Sequence, residues 1–437
     1  MFSKLGLSPT ACTSLARLGY HTPTPIQTQA IPLVLTGVDL LARAQTGTGK
    51  TAAFGMPMIE RLAASAATGR TKPRGLVLVP TRELAVQVHQ SLTTYAASTR
   101  LRIAAIFGGV SMGAQIQVLR NGADIIVATP GRLLDHMQRR TVDLSEVNVL
   151  TLDEADRMLD MGFLPALRRV LAALPRERQT LLFSATLSES IVRLARDFTR
   201  DAKRVDVSAQ QVVATTVTHH VHHVATERKR DVLRHILTQD GAGQALVFCK
   251  TKRGANRVCE DLGLSGVRSG VIHGNKSQNA RSRALGDFKA GRVRVLVATD
   301  IAARGLDIAH LPLVVNFDMP LVAEDYVHRV GRTGRAGQNG LAVSLVSSSE
   351  APLLRQIQQL VAVPLERVPA PVVELTAPRH AVEPAPSRMR QGHRPGSMPK
   401  RRTSQGYQGQ QNGAGRRTGA RRAVSARQPV TSGVREY

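Results

Sequence analysis

Short runs of wholly apolar residues recur along the chain, each ending at a threonine, an acid or a glycine-bearing turn. VLVPT at 77–81 and VFCKT at 247–251 read as buried strands closed by Thr81 and Thr251. IIVATP at 125–130 and VLVATD at 295–300 repeat the pattern and reach Thr129 and Thr299. From Thr81 to Thr129 is 48 residues, and from Thr251 to Thr299 is again 48. Each interval holds helical periodicity and a turn, Gly108-Gly109 in the first and His273-Gly274 in the second. Apolar strands alternating with helices at this spacing predict parallel α/β units. The matched intervals predict two such domains of similar topology, produced by duplication and joined near 205–222.

Beyond residue 365 the periodicity stops. Residues 366–437 are rich in Pro, Gly, Gln and Arg and cannot bury enough apolar surface to offset ordering entropy, which predicts a disordered tail. The tail holds 14 Lys and Arg against 4 Asp and Glu, or +10 of the chain's net +27. It reads either as a solubilising extension or as a non-specific RNA contact through phosphates. The folded part is basic as well, and a balance this positive favours a polyanionic partner. No apolar run approaches the ~20 residues a membrane-spanning helix needs, and MFSKLGLSPT lacks the hydrophobic segment of a secretory signal. Cys12, Cys249 and Cys259 are too few and too scattered for a disulfide framework or a zinc site. These features together predict a cytoplasmic protein that does not contact membrane.

Candidate chemistry begins in LLARAQTGTGKTAAF at 40–54, a strand-like stretch opening into a helix. Ala44, Gln45, Thr46, Gly47, Thr48, Gly49, Lys50 and Thr51 fit a phosphate loop in which Ala replaces the first glycine. Gly47 and Gly49 let backbone N–H groups turn inward around phosphate oxygens; Lys50 reaches the β- and γ-phosphates, and the Thr51 hydroxyl can ligate Mg²⁺. VLTLDEAD at 149–156 ends a strand in carboxylates, which belong at the same crevice because ligands sit at the carboxyl ends of parallel strands. Asp153 is therefore a candidate for Mg²⁺, largely through water, and Glu154 for orienting and deprotonating the attacking water. HRVGRTGRAG at 328–337 spaces Arg329, Arg332 and Arg335 by three with no acid among them. The second domain has no phosphate loop of its own, so its arginines predict a triphosphate delivered by the first domain. Arg332 and Arg335 are the candidates for an arginine-finger role, worth about 10³–10⁵ in rate in other enzymes, and planar guanidinium suits spread transition-state charge.

These stretches, in this order, resemble the DEAD-box ATP-dependent RNA helicases, and the resemblance covers residues 2 to about 350. It implies two tandem RecA-like parallel-sheet domains: 1–207 binding ATP, a linker and entry strand at 208–222, and 223–365 as the second domain. It implies that GYHTPTPIQ at 19–27 reads adenine, with Gln27 pairing to the base edge and Phe2 and Tyr20 as the aromatics beside the ring. It further implies that Gly305 and Asp307 in ARGLDI contact the nucleotide, that His328 and Arg329 brace the domain interface, and that Ser184 and Thr186 couple hydrolysis to closure. Arg82, Gly109, Thr129, Arg132, Thr251, Arg281 and Thr299 would line one RNA strand. Such groups grip phosphate and sugar and carry no sequence information. With no Trp and only 3% aromatics, binding should be backbone-led and salt-sensitive. MLDMGF at 158–163 looks like the bacterial RhlE subgroup, although Leu187 stands where that subgroup would have Phe. The family further implies partners in ribosome assembly or RNA decay.

HHVHH at 219–223 invites a metal reading, but strand alternation puts His219 and His223 on one face and His220 and His222 on the other, so we expect no metal there. Two other functions remain in view. A DNA helicase or translocase on the same paired core would be stimulated by DNA. A non-catalytic RNA chaperone working through the tail would survive loss of Glu154.

Overall fold

The computed structural model describes residues 1–371 other than 46, 66–71, 208–216, 240–242, 304, 305, 307, 309, 310, 335–338, 362 and 363, with nothing said of the side chains at 324 and 360. The predicted strands form. In the first lobe these are β1 (Leu40–Arg43), β2 (Gly75–Leu78), β3 (Ile103–Ile106), β4 (Ile125–Ala128), β5 (Val149–Leu152), β6 (Gln179–Ser184) and β7 (Lys203–Asp206). The second lobe has β8 (Val217–His223), β9 (Ala245–Phe248), β10 (Ser269–Ile272), β11 (Val295–Ala298), β12 (Leu313–Asn316), β13 (Gly340–Val346) and β14 (Glu366–Arg367). The first sheet runs β3-β4-β2-β5-β6-β1-β7 and the second β10-β11-β9-β12-β13-β8-β14. Adding seven to every strand number of the first order yields the second. Both sheets are parallel throughout the described pairings. The chain thus carries two RecA-like lobes of one plan.

The central strands β2, β4, β5, β9, β11 and β12 are buried along their whole length. Parallel strands covered by helices on both faces must be apolar at every position, so these stretches appear in the sequence as unbroken hydrophobic runs. Each sheet divides its core into two clusters, one per face, around Phe183 and around Leu182 in the first lobe and around Leu345 and Phe288 in the second. A further cluster at the β8 end of the second sheet packs Tyr326, Val330 and Ile357.

Two boundaries differ from the sequence expectation. The entry strand β8 crosses the anticipated junction at 222/223 and lies inside the second sheet between β13 and β14. Glu366 and Arg367, expected at the head of the disordered tail, form the edge strand β14, and the Val368 amide donates to Val221. Two backbone hydrogen-bonding residues suffice to order a segment whose composition alone gives no strand signal. The rest of the anticipated tail, 372–437, lies outside the described residues.

Candidate functional site

Connections at the carboxyl ends of β1, β5 and β6 build the site. After β1 the chain turns through Gly47 (φ 83°) and Gly49 (φ 91°), both in the left-handed region that favours glycine. A Cβ on Gly49 would lie 2.4 Å from the Gln27 amide nitrogen. That close approach exists because Gln27 Nε2 donates to the Gly49 carbonyl at 3.2 Å while its Oε1 accepts from the Thr24 amide at 2.9 Å. Ala44 is anchored by its amide to the Ser184 carbonyl, and the Thr48 hydroxyl donates to the Gln45 carbonyl at 2.8 Å. Lys50 then begins the helix Lys50–Ala64, followed at once by Thr51. The Lys50 ammonium, almost fully buried, reaches Asp153 at 3.9 Å. Thr46 lies outside the described residues.

Asp153 follows β5, and its Oδ1 is buried without a hydrogen-bond partner. Burial raises its pKa to about 6, with Lys50 opposing. A buried carboxylate oxygen with no donor is costly unless a cation completes it, so the donor set of Asp153 and Thr51 fits a divalent ion. Glu154 sits at φ 55°, ψ 51°, a conformation a non-glycine residue keeps only when its surroundings enforce it. Its carboxylate is ion-paired with Arg157. Burial pushes the Glu154 pKa up, but Arg157, Lys50 and Arg332 together outweigh it and hold the group below its usual value. Asp156 accepts from the Ala185 amide (2.9 Å), the Thr186 amide (3.0 Å) and the Thr186 hydroxyl (3.3 Å). The Thr186 amide also donates to Ser184 Oγ at 3.3 Å, and the bonds to Asp156 tie the acidic loop to this Ser184-Ala185-Thr186 (SAT) loop.

The second lobe completes this cavity. Arg332 is buried, donates to the Leu306 carbonyl at 2.7 Å, and lines a space of about 580 Å³ together with Lys50, Thr51, Asp153 and Glu154. Tyr20 lines the same cavity and its hydroxyl lies 3.1 Å from that of Tyr95. His328 faces the first lobe; burial drives its pKa down to about 4, aided by Arg157 and opposed by Asp156. Gly305, Asp307 and Arg335 lie outside the described residues.

Three expectations need correction. Phe2 does not stand over the nucleotide cavity: it is buried in the first lobe's core, on a short 3₁₀ turn that Gly6 closes in the left-handed conformation. Arg329 braces its own lobe, with both arms on Asp300 (2.6 and 2.7 Å), Asn316 at 3.0 Å, the Asp318 carbonyl at 2.7 Å and the Phe248 ring beneath it. Arg281 pairs across the lobes with Glu83 at 2.9 Å, both side chains nearly buried, while Gln278 donates to the same carboxylate at 2.9 Å. Glu83 directly follows Arg82, yet nothing in the sequence links it to a residue 195 positions away.

The remaining track residues sit at the carboxyl ends of strands in both lobes. The Arg82 guanidinium wraps the Gly108-Gly109 turn so closely that a Cβ on Gly109 would lie 1.9 Å from it. Thr129 precedes the helix Pro130–Gln138, on which Arg132 donates to the Val110 carbonyl (3.2 Å) and to Gln115 Oε1 (3.0 Å). Thr251 caps the helix Lys252–Leu264, accepting from the Gly254 amide at 2.9 Å, and Thr299 lies at the end of β11, nearly buried. Within HHVHH, His219 bonds the Tyr326 hydroxyl at 2.9 Å, and His222 Nδ1 lies 3.1 Å from the Val368 and Pro369 carbonyls. Among the described residues no helix is long and apolar enough to cross a membrane.

A phosphate loop in one RecA-like lobe, facing a buried arginine supplied by a second lobe of the same plan, defines a two-lobed nucleoside-triphosphatase core. Comparison with known proteins narrows the class. Residues 24–194 match the DEAD/DEAH box helicase family model and residues 228–337 the helicase conserved C-terminal domain. The chain is 42% identical over 373 residues to the DEAD-box ATP-dependent RNA helicase CshA of Bacillus subtilis, covering 85% of this chain and 75% of that protein. Its identity to CshA of Geobacillus kaustophilus is 41%, over 85% of this chain and 79% of that protein. The structure of S. cerevisiae Dbp5 bound to RNA and ADP BeF3 superposes with a TM-score of 0.76 at 32% identity, covering 84% of this chain and 95% of that one. The chain belongs to the DEAD-box ATP-dependent RNA helicases.

Proposed function

We propose that the protein is an RNA-dependent ATPase whose lobes close on ATP and an RNA backbone together and thereby separate short duplexes. The observation that carries this is the convergence of Lys50, Glu154 and Arg332, from two lobes, on one cavity. Hydrolysis forms a bond from water oxygen to the γ-phosphorus and breaks the bond from that phosphorus to the ADP oxygen, with the water proton passing to Glu154. Lys50 and Arg332, joined in our reading by Arg335, meet the charge that spreads over the γ-phosphoryl oxygens. Gln27, Tyr20, Gly305 and Asp307 hold the adenosine end. Asp153 and Thr51 would hold Mg²⁺, which would supply positive charge against the triphosphate.

Arg82, Gly109, Thr129, Arg132, Thr251 and Thr299 grip phosphate and sugar, with little sequence preference. Both ligands favour the closed form, so each tightens the other. A base-pair step costs about 1.4 kcal/mol to open, so one closure frees only a few pairs, and unwinding is local. We further place the chain, on MLDMGF at 158–163, in an RhlE-like subgroup acting in the cytoplasm on ribosomal precursors or in RNA decay. ATPase assays with matched RNA and DNA oligonucleotides test the core reading. Stimulation by RNA that is lost in Arg332→Ala supports it, and stimulation by DNA alone would replace it with a DNA translocase.

A further inference from the structure

Lys50 and Glu154 line two cavities. The first is the nucleotide space already described. The second, about 510 Å³, starts at the same two side chains and runs on between the lobes. Thr186, Ser188 and Ser190 of the first lobe form one wall, and Val322, Asp325 and His328 of the second form the other. A triphosphate on the phosphate loop fills the first cavity and points its terminal phosphoryl group toward Glu154. In-line displacement requires the attacking water on the side of that phosphorus opposite the departing ADP oxygen. The second cavity also meets Glu154, and with nucleotide filling the first it offers water a separate approach to that carboxylate.

Its lining discriminates by charge. Glu154, Asp156, Asp160 and Asp325 contribute four carboxylates against two cations, Lys50 and Arg157. Arg157 is committed to Glu154, and Lys50 to the phosphate side next to Asp153. Asp156 is held by the SAT loop, which fixes the wall in place. Water crosses such a passage freely and finds hydroxyls on Ser188, Ser190 and Thr186. A phosphate dianion would have to pass like charges in a crevice where they are weakly screened.

We propose that this crevice is the water port of the closed enzyme: it admits the attacking water to Glu154 and holds inorganic phosphate back until the lobes part. The proposal rests on the hydrolytic reading of Glu154 given above. Val322 is 52% exposed on the crevice wall, and Val322→Trp should narrow the passage without touching the groups that bind nucleotide. In the full chain with ATP and an RNA oligonucleotide, we expect single-turnover hydrolysis to slow at least tenfold. Closure, read by fluorescence transfer between labelled lobes, should be unchanged. Normal hydrolysis with normal closure overturns the port. Should Val322→Trp hinder closure, Ser190→Trp on the opposite wall takes its place with the same two readings.

The retention half has its own test. A phosphate-sensor signal should rise together with lobe opening in the parent protein and ahead of it in Asp160→Asn/Asp325→Asn. Phosphate emerging before opening in the parent overturns retention. A parent protein that shows no RNA-stimulated hydrolysis overturns the helicase reading itself, and so the two failures are distinguishable.

Discussion

Replacing Glu83 by alanine should disable closure while leaving each lobe intact. The carboxylate takes two donors from the second lobe, Arg281 Nη2 and Gln278 Nε2, each at 2.9 Å. Side-chain exposures of 7% and 11% for Glu83 and Arg281 make this a buried pair, and Arg281 Nε and Gln278 Oε1 already lack partners. Removing one member of a buried pair costs about 3–5 kcal/mol because the other charge stays desolvated. Here the penalty has an escape that a pair within one domain lacks: the lobes can separate and return Arg281 to water. The cost therefore falls on the closed form alone and appears as lost coupling between ligands, not as unfolding. At about 3 kcal/mol the closed population drops by about two orders of magnitude. Anisotropy of a labelled RNA should show binding weakened about 100-fold in the presence of ADP–BeF3 and little changed without nucleotide. Thermal melting should stay within a degree or two of the parent. Equal RNA affinity for Glu83→Ala and parent in ADP–BeF3 would refute the reasoning, and a large fall in melting temperature would show that the pair stabilises the lobes themselves.

Three further outcomes are expected. Glu154→Gln keeps the shape of the side chain but cannot accept the water proton, so steady-state ATPase should fall by about 10²–10⁴ while nucleotide-dependent RNA binding persists in anisotropy assays. Lys229 is buried, with its ammonium on the Phe317 carbonyl at 2.9 Å and on Glu350 at 2.5 Å; Lys229→Met should cost about 3–5 kcal/mol and lower melting of the second lobe, and Lys229→Met with Glu350→Leu should recover part of that loss, both measured by calorimetry. The His328 pKa is depressed to about 4 from 6.5, so the apposed form favours the neutral ring. Its contribution is fully present above about 6.5 and is lost as pH falls toward 4. Fluorescence transfer between lobes across that window should decline in the parent, and subtracting the His328→Gln profile should isolate the histidine's share.

What could be read from the chain divides by how far apart the partners lie. Strands β2, β4, β5, β9 and β11 were legible because burial on both faces forces every position to be apolar, a signal carried by four or five consecutive residues. The phosphate loop was legible for the same local reason: Gly49 and Lys50 perform their roles through backbone shape and a helix start within one turn. Arg281 and Arg329 were misread because an arginine on a helix looks alike in sequence whether it awaits phosphate or is already held. Only the fold brings Glu83 to one and Asp300, Asn316 and Asp318 to the other. Phe2 was misplaced because an aromatic upstream of the adenine segment fits a core as well as a stack, and burial decides between them.

The duplication makes the same point with a single residue type. Since β8 stands in the second sheet where β1 stands in the first, Lys229, which opens the helix after β8, is the counterpart of Lys50, which opens the helix after β1. Phe317 follows β12 as Asp153 follows β5. Lys50 reaches its carboxylate only at 3.9 Å and follows a glycine-built cradle, so its charge remains available to an incoming phosphate. Lys229 is bound at 2.5 Å by Glu350, which also accepts from the Ser347 hydroxyl at 2.7 Å, the Ser347 amide at 2.9 Å and the Met319 amide at 3.0 Å. A phosphate at that position would have to displace a carboxylate already satisfied by four donors, in a site where burial makes the exchange costly. One scaffold therefore yields a lobe that receives the triphosphate and a lobe whose lysine is neutralised from within, leaving Arg332 to act on its neighbour's ligand.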